Sequence, residues 1–376
     1  MPQKPQNKND NPNAFKLWIN EALLKKIASA ITTAYPAFDS KSFLKTSKNL
    51  GPLEMKGRVL LVRDALQAHL PADYKTALKI LVKSLDKDNL SGFDLWPYTE
   101  FIQTYGLENF EESLQALYLL TQKFTAEFAV RPFLAKDPAR TYALLQKWAK
   151  DKNTHVRRLT SEGSRPRLPW GLRLHNAIKS PQEGLALLEI LKFDEELYVR
   201  KSVANHLNDI AKDHPSTVVS TLTKWQKTCP PEHQAKIDWI QKHALRSLIK
   251  QGYKPALKMM GSGHKPLVRI KKFAIDKKTY SMNEPILIHL HLESTSKKQQ
   301  KIIIDYIVHY MKANKETSPK VFKLKTVELQ GGEAHLVTKK HSLKHVTTRK
   351  HYPGQHRLEI QINGEVVAEA KWVLKV

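Results

Sequence analysis

Apolar residues recur at helical spacing from residue 14 to about residue 257, with turn signals between blocks about one helix long. The first block, residues 15–33, sets Leu17, Trp18, Leu24, Ile27, Ala28 and Ile31 on one broad face. Blocks at 55–69 and 74–85 follow, with Pro71 as the stop between them. Residues 109–122, 125–135 and 138–150 continue the pattern, the last with Asp137 as its N-cap. Short connections between helices predict an array of helical hairpins.

The chain also repeats itself. DKNTHVR at 151–157 returns as DEELYVR at 194–200, so Asp-x-x-x-x-Val-Arg recurs after 43 residues, and Arg246 lies 46 residues beyond Arg200. Such a period belongs to HEAT or armadillo arrays, whose stacked helix pairs form a curved solenoid with a concave groove. Arg157 and Arg200 are expected to tie repeats together rather than to hold a ligand.

Near Gly261-Ser-Gly263 the pattern changes to alternating segments, at 267–275, 285–293, 301–311, 320–329, 333–339, 354–362 and 365–374. Seven short strands predict an antiparallel immunoglobulin-like sandwich. Asn363-Gly364 should form a type I′ hairpin turn, and Tyr352 is placed at a tyrosine corner. The expected organisation is a disordered tail at 1–13, a HEAT-like helical solenoid at 14–260 and an all-β sandwich at 265–376.

Charge narrows the partners. The 62 Lys and Arg exceed the 36 Asp and Glu by 26, and the pI is about 9.8. Such an excess draws polyanions, because each cation laid on a phosphate releases counterions. The sandwich is the more densely basic part, with 22 Lys and Arg against 10 Asp and Glu from Lys265 onward. Lys297 and Lys298, and Lys339-Lys340-His341, fall where turns are expected and offer either a second grip on a polyanion or ordinary solvated loops.

A lone Cys229 excludes an internal disulfide or cysteine-based metal cluster, and the polar N-terminus lacks the apolar stretch of a secretory leader. The expected setting is cytoplasmic, near the nucleoid, with no membrane partner. No Walker loop, GxGxxG, HExxH or serine elbow occurs. His289 and His291 share a strand face without a third ligand, so no metal and no cofactor are expected.

The stretch 159–174, LTSEGSRPRLPWGLRL, holds Glu162 among Arg165, Arg167 and Arg173, with Trp170 between prolines and glycine. On a surface that grips phosphates, a carboxylate is favourable only where it meets a cation. Bases alkylated at a ring nitrogen are cationic, and they depart through an oxocarbenium-like sugar that a preorganised carboxylate stabilises. The arginines suit backbone phosphates, and Trp170 suits stacking on a base or capping of a helix junction. Asn205 is the 43-residue counterpart of Glu162, and Asp209 lies one turn beyond it. Glu127 and Arg131 stand four apart, as a functional pair or a plain helix ion pair.

SEGSRPRLPW at 161–170, with EFAVRPF at 127–133 and VRKSVANHLNDIAKDHP at 199–215, resembles the AlkC branch of the AlkC/AlkD HEAT-like-repeat DNA glycosylases. The resemblance spans about residues 14–260, and some AlkC proteins carry a C-terminal immunoglobulin-like domain. It implies excision of cationic N-alkylated bases, chiefly 3-methyladenine and 3-methylcytosine, leaving an abasic site; the expected enzyme is monofunctional, acts on duplex DNA as a monomer and, by the carboxylate chemistry, needs no cofactor. It further implies Glu162 as the catalytic carboxylate, with Glu127 and Asp209 as acidic partners and Trp170 lining the cleft. Arg131, Arg165, Arg167 and Asn205 then hold DNA or order the site. A non-catalytic nucleic-acid scaffold is the alternative.

Overall fold

The computed structural model describes residues 14–86, 90–344, 346 and 349–375; the tail expected at 1–13 lies outside the described residues. The chain divides into two compact units, one up to Asp213 and one from His214.

The first unit is helical: α1 (Glu21–Ala34), α2 (Ser40–Leu44), α3 (Met55–His69), α4 (Tyr74–Lys83), α5 (Trp96–Tyr105), α6 (Phe110–Thr121), α7 (Arg131–Lys136), α8 (Pro138–Trp148), α9 (Thr154–Gly163), α10 (His175–Lys179), α11 (Gln182–Leu191) and α12 (Leu197–Ile210). Capping side chains set several starts. Asn20, Asp73, Asp137 and Asn153 each accept a backbone N–H from the first turn that follows. The first block is shorter than its pattern. Because Asn20 caps α1, Leu17 and Trp18 belong to a separate 3-10 turn and remain exposed.

The 43-residue period is structural: the pair α8–α9 recurs as α11–α12, with the short α10 between them. Arg157 explains the repeated motif. Its guanidinium holds the carbonyls of Asp151 (2.9 Å) and Lys152 (3.0 Å), and reaches Asp194 of the next repeat at 2.6 and 3.1 Å. Arg200 holds the carbonyls of Asp194 and Glu195 in the same way, at 2.6 and 2.7 Å. The expected helix over 125–135 begins only at Arg131, because residues 127–130 form a turn.

The second unit joins α13 (Pro215–Thr228), α14 (Gln234–Ala244), α15 (Arg246–Lys250) and α16 (Lys254–Met259) to a sandwich of β1 (Val268–Ile275), β2 (Thr279–Ser281), β3 (Pro285–Ser294), β4 (Gln300–Met311), β5 (Thr317–Leu329), β6 (Ala334–Ser342), β7 (Gly354–Ile362) and β8 (Glu365–Lys375). One sheet runs β1-β3-β6 and the other β2-β8-β7-β4-β5. The unforeseen β2 pairs parallel with β8. Ile286, Ile288, Leu290 and Leu292 of β3 face Ile302, Ile304, Tyr306 and Val308 of β4 in the core. His289 and His291 alternate with that set, half-buried.

Asn363 and Gly364 both take positive φ, 48° and 82°, and turn β7 into β8. Gly364 also lies against Gly252; a Cβ on it would fall 2.4 Å from the Gly252 Cα, so the contact requires glycine. Two expectations are corrected. The corner tyrosine is Tyr280, whose hydroxyl accepts from Lys277 N and donates to Asp276, whereas the Tyr352 hydroxyl makes no hydrogen bond among the described residues. Lys339-Lys340-His341 lies inside β6 rather than in a turn, with His341 buried between the Tyr306 and Tyr310 hydroxyls.

Candidate functional site

Helix α9 ends where the sequence concentrates its charges, and α12 of the next repeat runs beside it. Gly163 permits the close approach of the 127–130 turn, since a Cβ there would meet Val130 Cγ1 at 2.5 Å. Glu127, Glu162 and Asp209 are thereby brought together, all buried.

They form an alternating row with three cations. Arg158 donates to Glu127 Oε2 at 3.0 Å and approaches Glu162 Oε1 at 3.6 Å. Arg165 donates to Glu162 Oε1 at 2.7 Å and to Asp209 Oδ2 at 2.9 Å, and Lys212 closes the row on Asp209 Oδ1 at 2.9 Å. The Ser202 hydroxyl donates to Glu162 Oε2 at 2.6 Å. Half-buried Asn205 lies on α12 between Ser202 and Asp209.

The environments of the two glutamates push them apart. Burial raises the Glu127 carboxyl above its usual range, and Arg158 offsets this only in part. Burial also presses on Glu162, but Arg158, Arg165 and Ser202 together outweigh it and hold this carboxyl below the usual range. Glu162 is thus the more strongly acidic of the two and Glu127 the better proton acceptor.

Of the two roles expected for the arginines, Arg131, Arg165 and Arg167 are placed to order the site rather than to hold DNA. Arg131 does not pair with Glu127 and, at 0% exposure, cannot reach DNA. It donates to Gly163 O at 2.7 Å and Leu172 O at 2.6 Å, and so straps the loop after α9 to its own helix. Burial first, then Arg165, pushes its guanidinium down to about 10. Arg165 and Arg167 were expected to hold phosphates; Arg165 serves the acid row instead, and Arg167 holds Asp213 at 2.9 and 2.7 Å. Each finds a fixed carboxylate partner in α12 or just after it, bidentately for Arg167 on Asp213, so their donors are taken up within the protein. Arg173 remains exposed in the strapped loop.

Trp170 does not cap a junction. It is 84% exposed and sits in the left-handed region at φ 67°, a strained conformation for a bulky side chain. With Lys56, Trp96, Gln103, Phe128 and Leu172 it lines a cleft of about 310 Å3. Lys297 and Lys298 are exposed in the loop between β3 and β4.

Sequence reasoning missed Arg158, Ser202 and His206. Arg158 was legible in part, since it precedes Glu162 by one helical turn. Ser202 and His206 carry no local signal; they matter because α12 packs on α9.

Residues 269–376 match the family described as the C-terminal Ig-like domain of the uncharacterised protein YhaZ. The uncharacterized protein YhaZ of Bacillus subtilis (strain 168) is 39% identical over 350 residues, which cover 92% of this chain and 95% of that protein. Among solved structures, Pseudomonas fluorescens alkylpurine DNA glycosylase AlkC, bound to DNA containing an abasic site analog, matches with a TM-score of 0.89 at 42% identity. That match covers 96% of this chain and 99% of the other. Among the described residues, no helix is long and apolar enough to cross a membrane.

Proposed function

This chain belongs to the AlkC branch of the AlkC/AlkD HEAT-like-repeat DNA glycosylases, and from that premise we propose that it hydrolyses the N-glycosidic bond of cationic N-alkylated bases in duplex DNA. Its substrates in this reading are 3-methyladenine and 3-methylcytosine, and its product is an abasic site in an uncut strand. The observation that carries the reading is the likeness, along nearly the whole chain, to a glycosylase solved on DNA with an abasic site analog. The acid row supports it with a chemical rationale.

The bond from C1′ to the base nitrogen breaks with its electron pair going to the base, which leaves neutral. Positive charge then develops on the sugar, and ionised Glu162 supplies the preorganised negative field against it. A water oxygen bonds to C1′, and its proton passes to Glu127, the carboxylate whose affinity for a proton is raised. Asp209 holds Arg165 on Glu162 and so sets that carboxylate's position. The chain's own carboxylates supply both the field and the base.

Around the acids, Arg173 and Asn205 take the DNA backbone, and exposed Trp170 lies against a sugar or base beside the lesion. Residues 14–260 carry the chemistry in this proposal, and the sandwich at 265–376 adds a second grip through Lys297 and Lys298. The test is release of free 3-methyladenine and 3-methylcytosine from methylated duplex DNA by the full chain. Release of both without strand cleavage is expected; salt-sensitive binding with no base release would instead mark a non-catalytic scaffold.

A further inference from the structure

Within the second unit, β4 is buried on both faces. Its even-numbered residues Ile302 to Val308 enter the sandwich core, while Ile303 and Asp305 face outward. There, α14 and α15 border a cleft of about 430 Å3 with β4 and β5. Lys242, Arg246, Lys250, Lys301 and Lys323 converge on it. Among the described residues, the four lysines have no carboxylate within ion-pair distance. Five cations gathered around a single acid, Asp305, repel one another, and their free energy falls when an anion enters.

One buried group points to more than a bare anion. Asp305 also lines the cleft and is 3% exposed, yet its carboxylate receives no hydrogen bond or ion pair among the described residues. Burial raises this carboxyl to about 6, and Lys250 and Lys323 pull against that rise. Its oxygens open onto the cleft, so this acceptor, without a donor from the protein, faces whatever enters there. Its complement is a hydroxyl or N–H carried by the same molecule that brings the anion. The cleft has the volume of a small-molecule site and not of a duplex groove.

We propose that this cleft binds a single nucleotide, with its phosphate held by Lys242, Lys250, Lys301 and Lys323 and a sugar hydroxyl or base N–H donated to Asp305. The chemistry is shared by a free nucleotide and by the phosphorylated end of a DNA strand. The proposal is independent of the glycosylase reading, because none of its residues belongs to the acid row.

Calorimetric titration of the full chain at low salt tests it, with inorganic phosphate, deoxyadenosine and deoxyadenosine 5′-monophosphate as probes. The monophosphate should bind more tightly than phosphate, and the unphosphorylated nucleoside should not bind. Lys301→Ala with Lys323→Ala should weaken the monophosphate by ~tenfold or more. Asp305→Asn should narrow the gap between monophosphate and phosphate, which a purely structural role would leave unchanged. The lysine double variant lowers the cleft's net positive charge and Asp305→Asn raises it, and melting curves check that both fold. Competition by a 5′-phosphorylated strand end assigns the site to DNA ends, and its absence assigns it to free nucleotide. No binding of either phosphate probe at millimolar concentration, or native affinity in the double variant, would overturn the proposal.

Discussion

Arg158 shows how much one side chain organises here. It separates Glu127 from Glu162, stacks over the Tyr198 ring at 5.2 Å and donates to Thr125 Oγ1 at 2.7 Å. Without it, two buried carboxyls would face each other, and an unpaired buried charge is costly. His206 supports the same region from behind, its ring fully buried and donating to Ser161 O at 3.0 Å. Burial first, then Arg165, pushes its imidazole down to about 3, so it stays neutral in the fold. An unfolded chain takes up that proton below about 6.5. The contribution is therefore complete above that pH and is lost as pH falls toward 3, at about 1.4 kcal/mol per unit. Urea unfolding at pH 7.5 and 5.5 should show the loss, and His206→Asn should reduce it; equal losses in both proteins would contradict the assignment. Glu162 was legible in the sequence as an acid among arginines. The partners of those arginines were not, because Asp209 and Asp213 reach them across helices 44 and 46 residues apart in the chain.

Among the elements, the meeting of α9 with the 127–130 turn decides whether the acids sit together. Gly163→Ala places a methyl 2.5 Å from Val130 Cγ1. Overpacking of this kind costs ~1–3 kcal/mol, and the turn that carries Glu127 is what must move. Thermal unfolding should show the loss together with slower base release; unchanged stability would mean that the turn yields freely. The helices and their 43-residue period were readable because apolar spacing and the Asp-Val-Arg motif report packing that repeats. The 127–130 turn was not, since Phe128 and Val130 continue a helical pattern while Phe128 in fact stacks on Trp96. In the sandwich, alternation located seven strands, but β2, with three residues, is too short to show a period. The helices after Asp213 read as more of the solenoid, although Gly252 and Gly364 join them to the sandwich.

At the scale of the whole molecule, the excess of 26 positive charges is not spent in the acid row, where three cations balance three acids. It remains for exposed side chains such as Lys297 and Lys298. If both lie on phosphates, replacing them with alanine should flatten the plot of log affinity against log salt by ~1.8, about 0.9 per contact. An unchanged slope would show that they face solvent only. The account as a whole rests on Glu162 acting on an alkylated nucleotide. Single-turnover release of 3-methyladenine from duplex DNA, by the native chain and by Glu162→Gln with its fold checked by circular dichroism, tests this most directly. Native release with a ~100- to 1000-fold slower variant is the predicted result; no release by the native chain, or an undiminished rate in the variant, would contradict it.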